Sequence, residues 1–112
     1  IAGGSKEEKD KPESYEPAIF LKGSVDDIKK GSIIVPADYR SRANYKDDQS
    51  YVYEEEGGMS WAIPYLAGVA ALSLQKKPDL KFDEFMTLVD KTANKIYGRF
   101  KVINPQGIIK SL

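Results

Sequence analysis

The chain contains no cysteine and no histidine. Without cysteine there is no disulfide framework, no thiolate metal site and no thiol nucleophile, and no sign of a redox compartment. Without histidine, no imidazole base, no His–Asp relay and no imidazole metal ligand can come from these 112 residues. Net charge is lacking as well: 17 Lys plus Arg stand against 17 Asp plus Glu. Nucleic acid and anionic membranes call for a basic surplus that displaces counterions, so neither partner is expected. The longest apolar run, residues 61–74, falls short of the roughly 20 residues that cross a bilayer. Glu7, Glu8 and Asp10 interrupt the start before an apolar run forms, so no signal peptide is written there.

What is present suffices for a globular core, since 41% of the residues are hydrophobic. The length allows one small domain or part of a larger one. The opening Ile1-Ala2-Gly3-Gly4 reads as the end of a strand running into a turn, cut from something longer. Residues 5–17 are charged, carry Pro12 and Pro17, and predict a surface loop. Ala18-Ile19-Phe20-Leu21 is a short apolar patch read as a strand, and Val25 and Ile28 are spaced for one helical turn. Ser32-Ile33-Ile34-Val35 is β-branched and uninterrupted, then stopped by Pro36; it predicts a strand buried on both faces, as in a parallel sheet. Residues 37–49 read as polar loop, and Tyr51-Val52-Tyr53 as a strand.

Residues 59–74 predict a helix by length and by their Ala and Leu content. They are apolar nearly all round, which predicts burial on every side. Pro64 fits only in the first turn, so the helix should begin near Met59 or Ser60, just after Gly57-Gly58. Phe82, Phe85, Leu88, Val89 and Ala93 form the stripe of a second, amphipathic helix, with Asp83 and Glu84 in its first turn and Gly98 closing it. Val102-Ile103-Asn104-Pro105 reads as a strand and turn, and residues 107–112 as a last short helix.

The start of the first helix carries chemistry. Two glycines let the backbone turn sharply and leave room beside it for a ligand. The first N–H groups of the helix are free, and its dipole favours negative charge there. Ser60 thus has its hydroxyl next to an anion-stabilising backbone, which is what an acyl-transfer nucleophile needs. The competing reading is an ordinary serine at a helix N-terminus.

The run Gly58-Met59-Ser60-Trp61-Ala62-Ile63-Pro64-Tyr65-Leu66-Ala67-Gly68 resembles the active-site serine block of subtilisin-like serine proteases, Gly-Thr-Ser-x-Ala-x-Pro-x-x-Ala-Gly, departing from it at Met59. Downstream, Pro78-Asp79-Leu80 and the helix ending in Thr92-Ala93 are similar to the helix that follows in the family. Gly98 with Val102-Ile103-Asn104 resembles its closing element. Upstream, Ile34-Val35-Pro36-Ala37 stands where the family has a strand and an Ala-Pro-Gly turn. The wording Ser60-Trp61-Ala62-Ile63-Pro64-Tyr65 is similar to a branch found in anaerobic spore-formers, some of whose members act in spore germination. The likeness is best over residues 51–104, looser over 32–43 and weak before that.

The resemblance implies an α/β chain, residues 1–112 being the C-terminal part of a three-layer parallel-sheet peptidase domain. It implies Ser60 as the nucleophile, with Gly58 and Met59 beside the substrate, which would be a peptide or protein. In subtilisins the triad runs Asp, His, Ser along the chain, so the Asp, the His and an oxyanion-holding Asn would precede Ile1. The chain alone is then inactive, and its partner is the N-terminal part of the catalytic domain. A helix apolar all round also predicts an exposed patch on the separate chain, or self-association that covers it. The sequence does not give the compartment; the resemblance is compatible with a secreted or spore-associated one. The alternative within the family is a pseudoprotease that binds or signals without cleaving, since Met59 lacks the hydroxyl of the family's Thr. The alternative outside it is an interaction domain whose helix start binds an anion.

Other residues have two readings each. Glu54-Glu55-Glu56 would line the cleft and favour basic substrates, or form a solvated acidic edge. Adjacent glutamates on an extended chain point to opposite faces, which argues against a paired-carboxylate glycosidase. Calcium enters only through the resemblance; Asp26-Asp27 and Asp47-Asp48 are its candidates, yet neither has the spacing of a known loop. Asp38 and Arg40 read as a surface pair, and Tyr51 and Tyr53 as packing residues beside the cleft.

Overall fold

The computed structural model describes residues 1–6, 11–96 and 99–112. Strand β1 (Ala2–Gly4) is followed by a 3-10 turn (Pro12–Ser14), β2 (Glu16–Pro17), a 3-10 segment (Ile19–Asp27), β3 (Ile33–Pro36), β4 (Arg40–Ala43) and β5 (Tyr51–Glu54). Helices α1 (Met59–Lys76) and α2 (Phe82–Thr92), strands β6 (Asn94–Ile96) and β7 (Phe100–Val102), and α3 (Pro105–Lys110) complete the chain.

The main sheet has the order β2-β1-β3-β7-β6. Its centre is parallel: β3 pairs with β1 on one side and β7 on the other, while β2 and β6 are antiparallel edges. The fold is therefore α/β with a mixed sheet. The uninterrupted Ile33-Ile34-Val35 run is the sequence of a strand with no solvent face. Alternation sends Ile33 and Val35 to the core shared with Ala62, Val69, Phe85, Val89 and Ile108 of the helices. It sends Ile34 to the opposite face, with Tyr15, Ile96, Phe100 and Val102. Val25 and Ile28 pack on that second cluster, so the 3-10 segment covers the face that the helices leave.

Several expectations are corrected. Residues 18–21 are not a strand; they open the 3-10 segment, which kinks at Ser24. The predicted loop at 5–17 buries Ser5 and Tyr15 and supplies β2, and its residues 7–10 lie outside the described residues. The polar stretch after Ala37 contains β4, whose alternating exposure suits a hairpin with β5. Helix α2 ends at Thr92, before a strand; Gly98, expected to close it, lies outside the described residues. At its start the Lys81 N–H donates to the Glu84 carboxylate at 3.0 Å. That bond, with Lys77 nearby, holds the Glu84 carboxyl below the usual carboxylate range.

Helix α1 departs most from expectation. It buries Ala62, Val69 and Ser73, with Leu66 and Ala70 partly covered, against β1, β3 and α3. Its opposite face is open: Ile63 is 61% and Leu72 55% exposed, with Pro64, Ala67, Gly68 and Ala71 between them. The described residues bury one face of the helix only. Among the described residues no helix is long and apolar enough to cross a membrane.

Ile34 has no exposed surface and lies where the sheet is bonded on both sides. Ile34→Ala is expected to cost about 2–5 kcal/mol of stability. The check is the urea midpoint; an unchanged midpoint would show that the second cluster contributes nothing.

Candidate functional site around Ser60

Parallel strands β1 and β3 end side by side, and the chain leaving β3 bends over the end of β1. The Gly3 carbonyl accepts from the N–H groups of both Ala37 (2.7 Å) and Asp38 (3.1 Å). Tyr39 follows with a positive φ of 55°, and its N–H donates to the Glu55 carbonyl at 3.0 Å. The bend at 37–39 thus lies against the segment running from β5 into α1. Crevices outside the carboxyl ends of parallel strands are where α/β sheets bind ligands.

The turn before α1 needs both glycines, for different reasons. A methyl group at Gly57 would collide with the Ala37 carbonyl, so this position is closed to side chains by space. Gly58 has open space but sits at φ 153°, ψ −179°, a backbone region essentially reserved for glycine. Gly58 is the N-cap, its carbonyl accepting from Trp61 and Ala62. Met59 and Ser60 are therefore the first residues of the helix, as expected, and their N–H groups have no acceptor within it.

Ser60 is exposed in the first turn, and its hydroxyl has no hydrogen-bond partner among the described residues. Met59 beside it is half exposed. Pro64 is the sixth residue of α1, beyond the first turn where it was expected. Its missing N–H removes the helical donor to the Ser60 carbonyl. The exposed face of α1 tolerates this because water reaches that carbonyl. Trp61 lies under the Arg42 guanidinium, 5.7 Å from the ring centre, and Arg42 pairs with Glu54 at 2.6 Å.

Asp38 is the residue that sequence reasoning misplaced. It is not paired with Arg40 at the surface; it is 1% exposed. Its Oδ1 accepts from the Gly57 N–H and its Oδ2 from the Ile19 N–H, each at 2.8 Å. The Arg40 guanidinium donates instead to the Tyr15 hydroxyl. Asp38 stands two residues past the last residue of β3, where backbone amides are left to satisfy. Tyr51 and Tyr53 do not pack beside a cleft: they point outward from the β4–β5 hairpin, Tyr51 at 78% exposure.

The remaining candidates scatter. Glu54 is held by Arg42, while Glu55 and Glu56 are exposed. Asp47 closes its own turn, accepting from the Gln49 and Ser50 N–H groups and the Ser50 hydroxyl, and these bonds lower its pKa. Asp26 lies 3.8 Å from Arg99. Among the described residues no three acidic side chains gather into a metal site. A depression of about 590 Å³ between α2 and Ser111-Leu112 contains none of the predicted site residues.

The assembled chemistry is an open hydroxyl, free amides at a helix N-terminus and a glycine turn with room beside it. It can hold a developing negative charge, and the chain has no histidine to deprotonate the serine. No protein-family model, curated protein or solved structure matches the chain. The functional reading therefore rests on the resemblance of residues 58–68 to the serine block, together with the exposed position of Ser60.

Gly57→Ala is expected to destabilise the chain by about 1–3 kcal/mol through overpacking against Ala37. It should also shift the emission of Trp61, the single tryptophan. A stable Gly57→Ala chain with unchanged emission would show that the turn does not need the close approach.

Proposed function

We propose that this chain carries the nucleophile of a subtilisin-like serine endopeptidase. The observation that carries the reading is the open, unpartnered Ser60 hydroxyl at the start of α1, just beyond a turn that only glycines can make. The base is a histidine from outside these 112 residues, since they contain none. It takes the Ser60 proton as Oγ attacks the scissile carbonyl carbon, and the carbonyl oxygen becomes an oxyanion held by the Ser60 N–H. Collapse expels the amine, which takes the proton from the histidine and leaves an acyl-serine. Water then attacks the ester carbonyl as the histidine takes its proton, and collapse returns that proton to the Ser60 Oγ and releases the carboxylic acid product.

Met59 favours a second reading. A thioether stands where the family has a hydroxyl near the oxyanion, and a site weakened in this way suits a pseudoprotease that holds a peptide without cleaving it. Under either reading the open face of α1 is covered by the rest of the catalytic domain.

Fluorophosphonate labelling separates these. The 112-residue chain alone should not label quickly, because its serine has no base. A protein that adds the upstream Asp and His should label at Ser60, and Ser60→Ala should abolish labelling with the fold unchanged. Triad members act as a unit, so losing the base should cost nearly as much turnover as losing the serine, on the order of a millionfold as in subtilisin itself. Peptide binding without labelling, restored by Met59→Thr, would select the pseudoprotease. Rapid labelling of the chain alone would overturn the external base.

The open face has its own check. Sedimentation of the separate chain should show self-association, relieved by Ile63→Asp with Leu72→Asp. A monomer that binds no hydrophobic dye would end the claim that α1 needs a cover.

A further inference from the structure

Asp38 is the only buried acidic side chain among the described residues, and the mechanism above does not use it. Burying a carboxylate is costly unless hydrogen bonds replace its hydration. Here two backbone N–H groups do so, and no Lys or Arg among the described residues forms an ion pair with it. Hydrogen bonds to an ionised acceptor are about twice as strong as neutral ones, so this is a firm anchor on Gly57. The Ala37 carbonyl closes on the same residue from another side.

The need for an anchor follows from the glycines. Gly57 and Gly58 have the widest backbone freedom of any residue pair, and they are the only link between β5's trailing glutamates and α1. Left free, they would let Met59 and Ser60 sample many directions, and misplacement by about 1 Å can cost on the order of a hundredfold in rate. With the Gly57 amide fixed, one residue, Gly58, sets where the helix starts.

We propose that Asp38 is the positioning residue for Ser60: its carboxylate, by holding the Gly57 amide, fixes the turn from which the serine and its oxyanion-binding N–H project. It touches no reacting atom, and the proposal rests on reading Ser60 as a nucleophile.

Asp38→Asn keeps the size and one acceptor but sets an amide NH₂ against one of the two N–H groups. Asp38→Ala removes both acceptors. In the 112-residue chain, hydrogen exchange at the Gly57 amide should rise about tenfold in Asp38→Ala, with Asp38→Asn between it and the unsubstituted chain. Trp61 emission should shift in the same order, because Gly57 lies against that ring. Far-UV circular dichroism checks that each variant is folded, and Asp38→Asn carries the test if Asp38→Ala is not.

In the protein that supplies the base, the maximal rate of phosphonate labelling should fall about tenfold in Asp38→Asn, with the half-saturating phosphonate concentration within twofold. A general loss of structure would instead move both. Unchanged Gly57 exchange and Trp61 emission in a folded variant overturn the proposal. So does equal labelling of the unsubstituted and Asp38→Asn proteins, which leaves the Ser60 reading standing. No labelling of the unsubstituted protein removes the nucleophile and Asp38's role toward it together, and the Gly57 exchange tells that failure apart from loss of the anchor.

Discussion

Strand β3 is hydrogen-bonded along both edges, to β1 and to β7, and covered on both faces, by the helices and by the 3-10 segment. Its amides and carbonyls have no recourse to water, so every one must find a protein partner. That requirement continues past its last residue. Ala37 and Asp38 turn back onto the Gly3 carbonyl, and the Asp38 side chain then satisfies two more amides that would otherwise be buried alone. The position of the Ser60 turn is a consequence of completing the hydrogen bonds around the end of this strand.

Helix α1 shows how a buried face and a site share one element. Leu66, Val69, Ala70 and Ser73 tie it to the sheet and α3, and Ser73, although fully buried, donates to the Val69 carbonyl and so leaves no unmet donor. In its exposed first turn the amides of Met59 and Ser60 have no acceptor within the helix. Pro64 is tolerated there because the carbonyl it strands, that of Ser60, lies on the exposed side. The same proline stiffens the start of the helix by fixing its own φ and restricting Ile63 before it.

Elements whose pattern is set by their own residues were legible in the sequence. The β-branched run of β3, the Phe85, Leu88 and Val89 part of the α2 stripe and the glycine-bounded start of α1 each follow from periodicity and propensity, whereas Phe82 of that stripe is 74% exposed and Ala93 lies just past the helix as its C-cap. What was not legible depends on neighbours. Residues 18–21 have the apolar content of a strand but were bent into a 3-10 segment, where the Asp38 carboxylate takes the Ile19 amide. Arg40-Ser41-Arg42 has no strand propensity, yet it pairs with Tyr51–Glu54, with Arg42 meeting Glu54 and stacking on Trp61. For the candidate site, the place of Ser60 in the first turn of α1 could be read from the two glycines before it. Asp38 could not be assigned, because its partners are backbone groups 19 residues away on either side and backbone groups leave no mark on a sequence.

The division of labour at Ser60 follows from what each group can do without the others. Helix amides and the α1 dipole stabilise negative charge wherever it appears, and they need no proton to do so. A hydroxyl is different: it becomes a nucleophile only when its proton has somewhere to go. Asp38 is the nearest buried carboxylate in sequence to the site, but both of its oxygens already accept backbone protons, so its role is to hold the turn. The geometry thus separates placing the serine from activating it. Under the proposed function, placement is built into these 112 residues through β3, Asp38 and the two glycines, while activation would come from a base outside them.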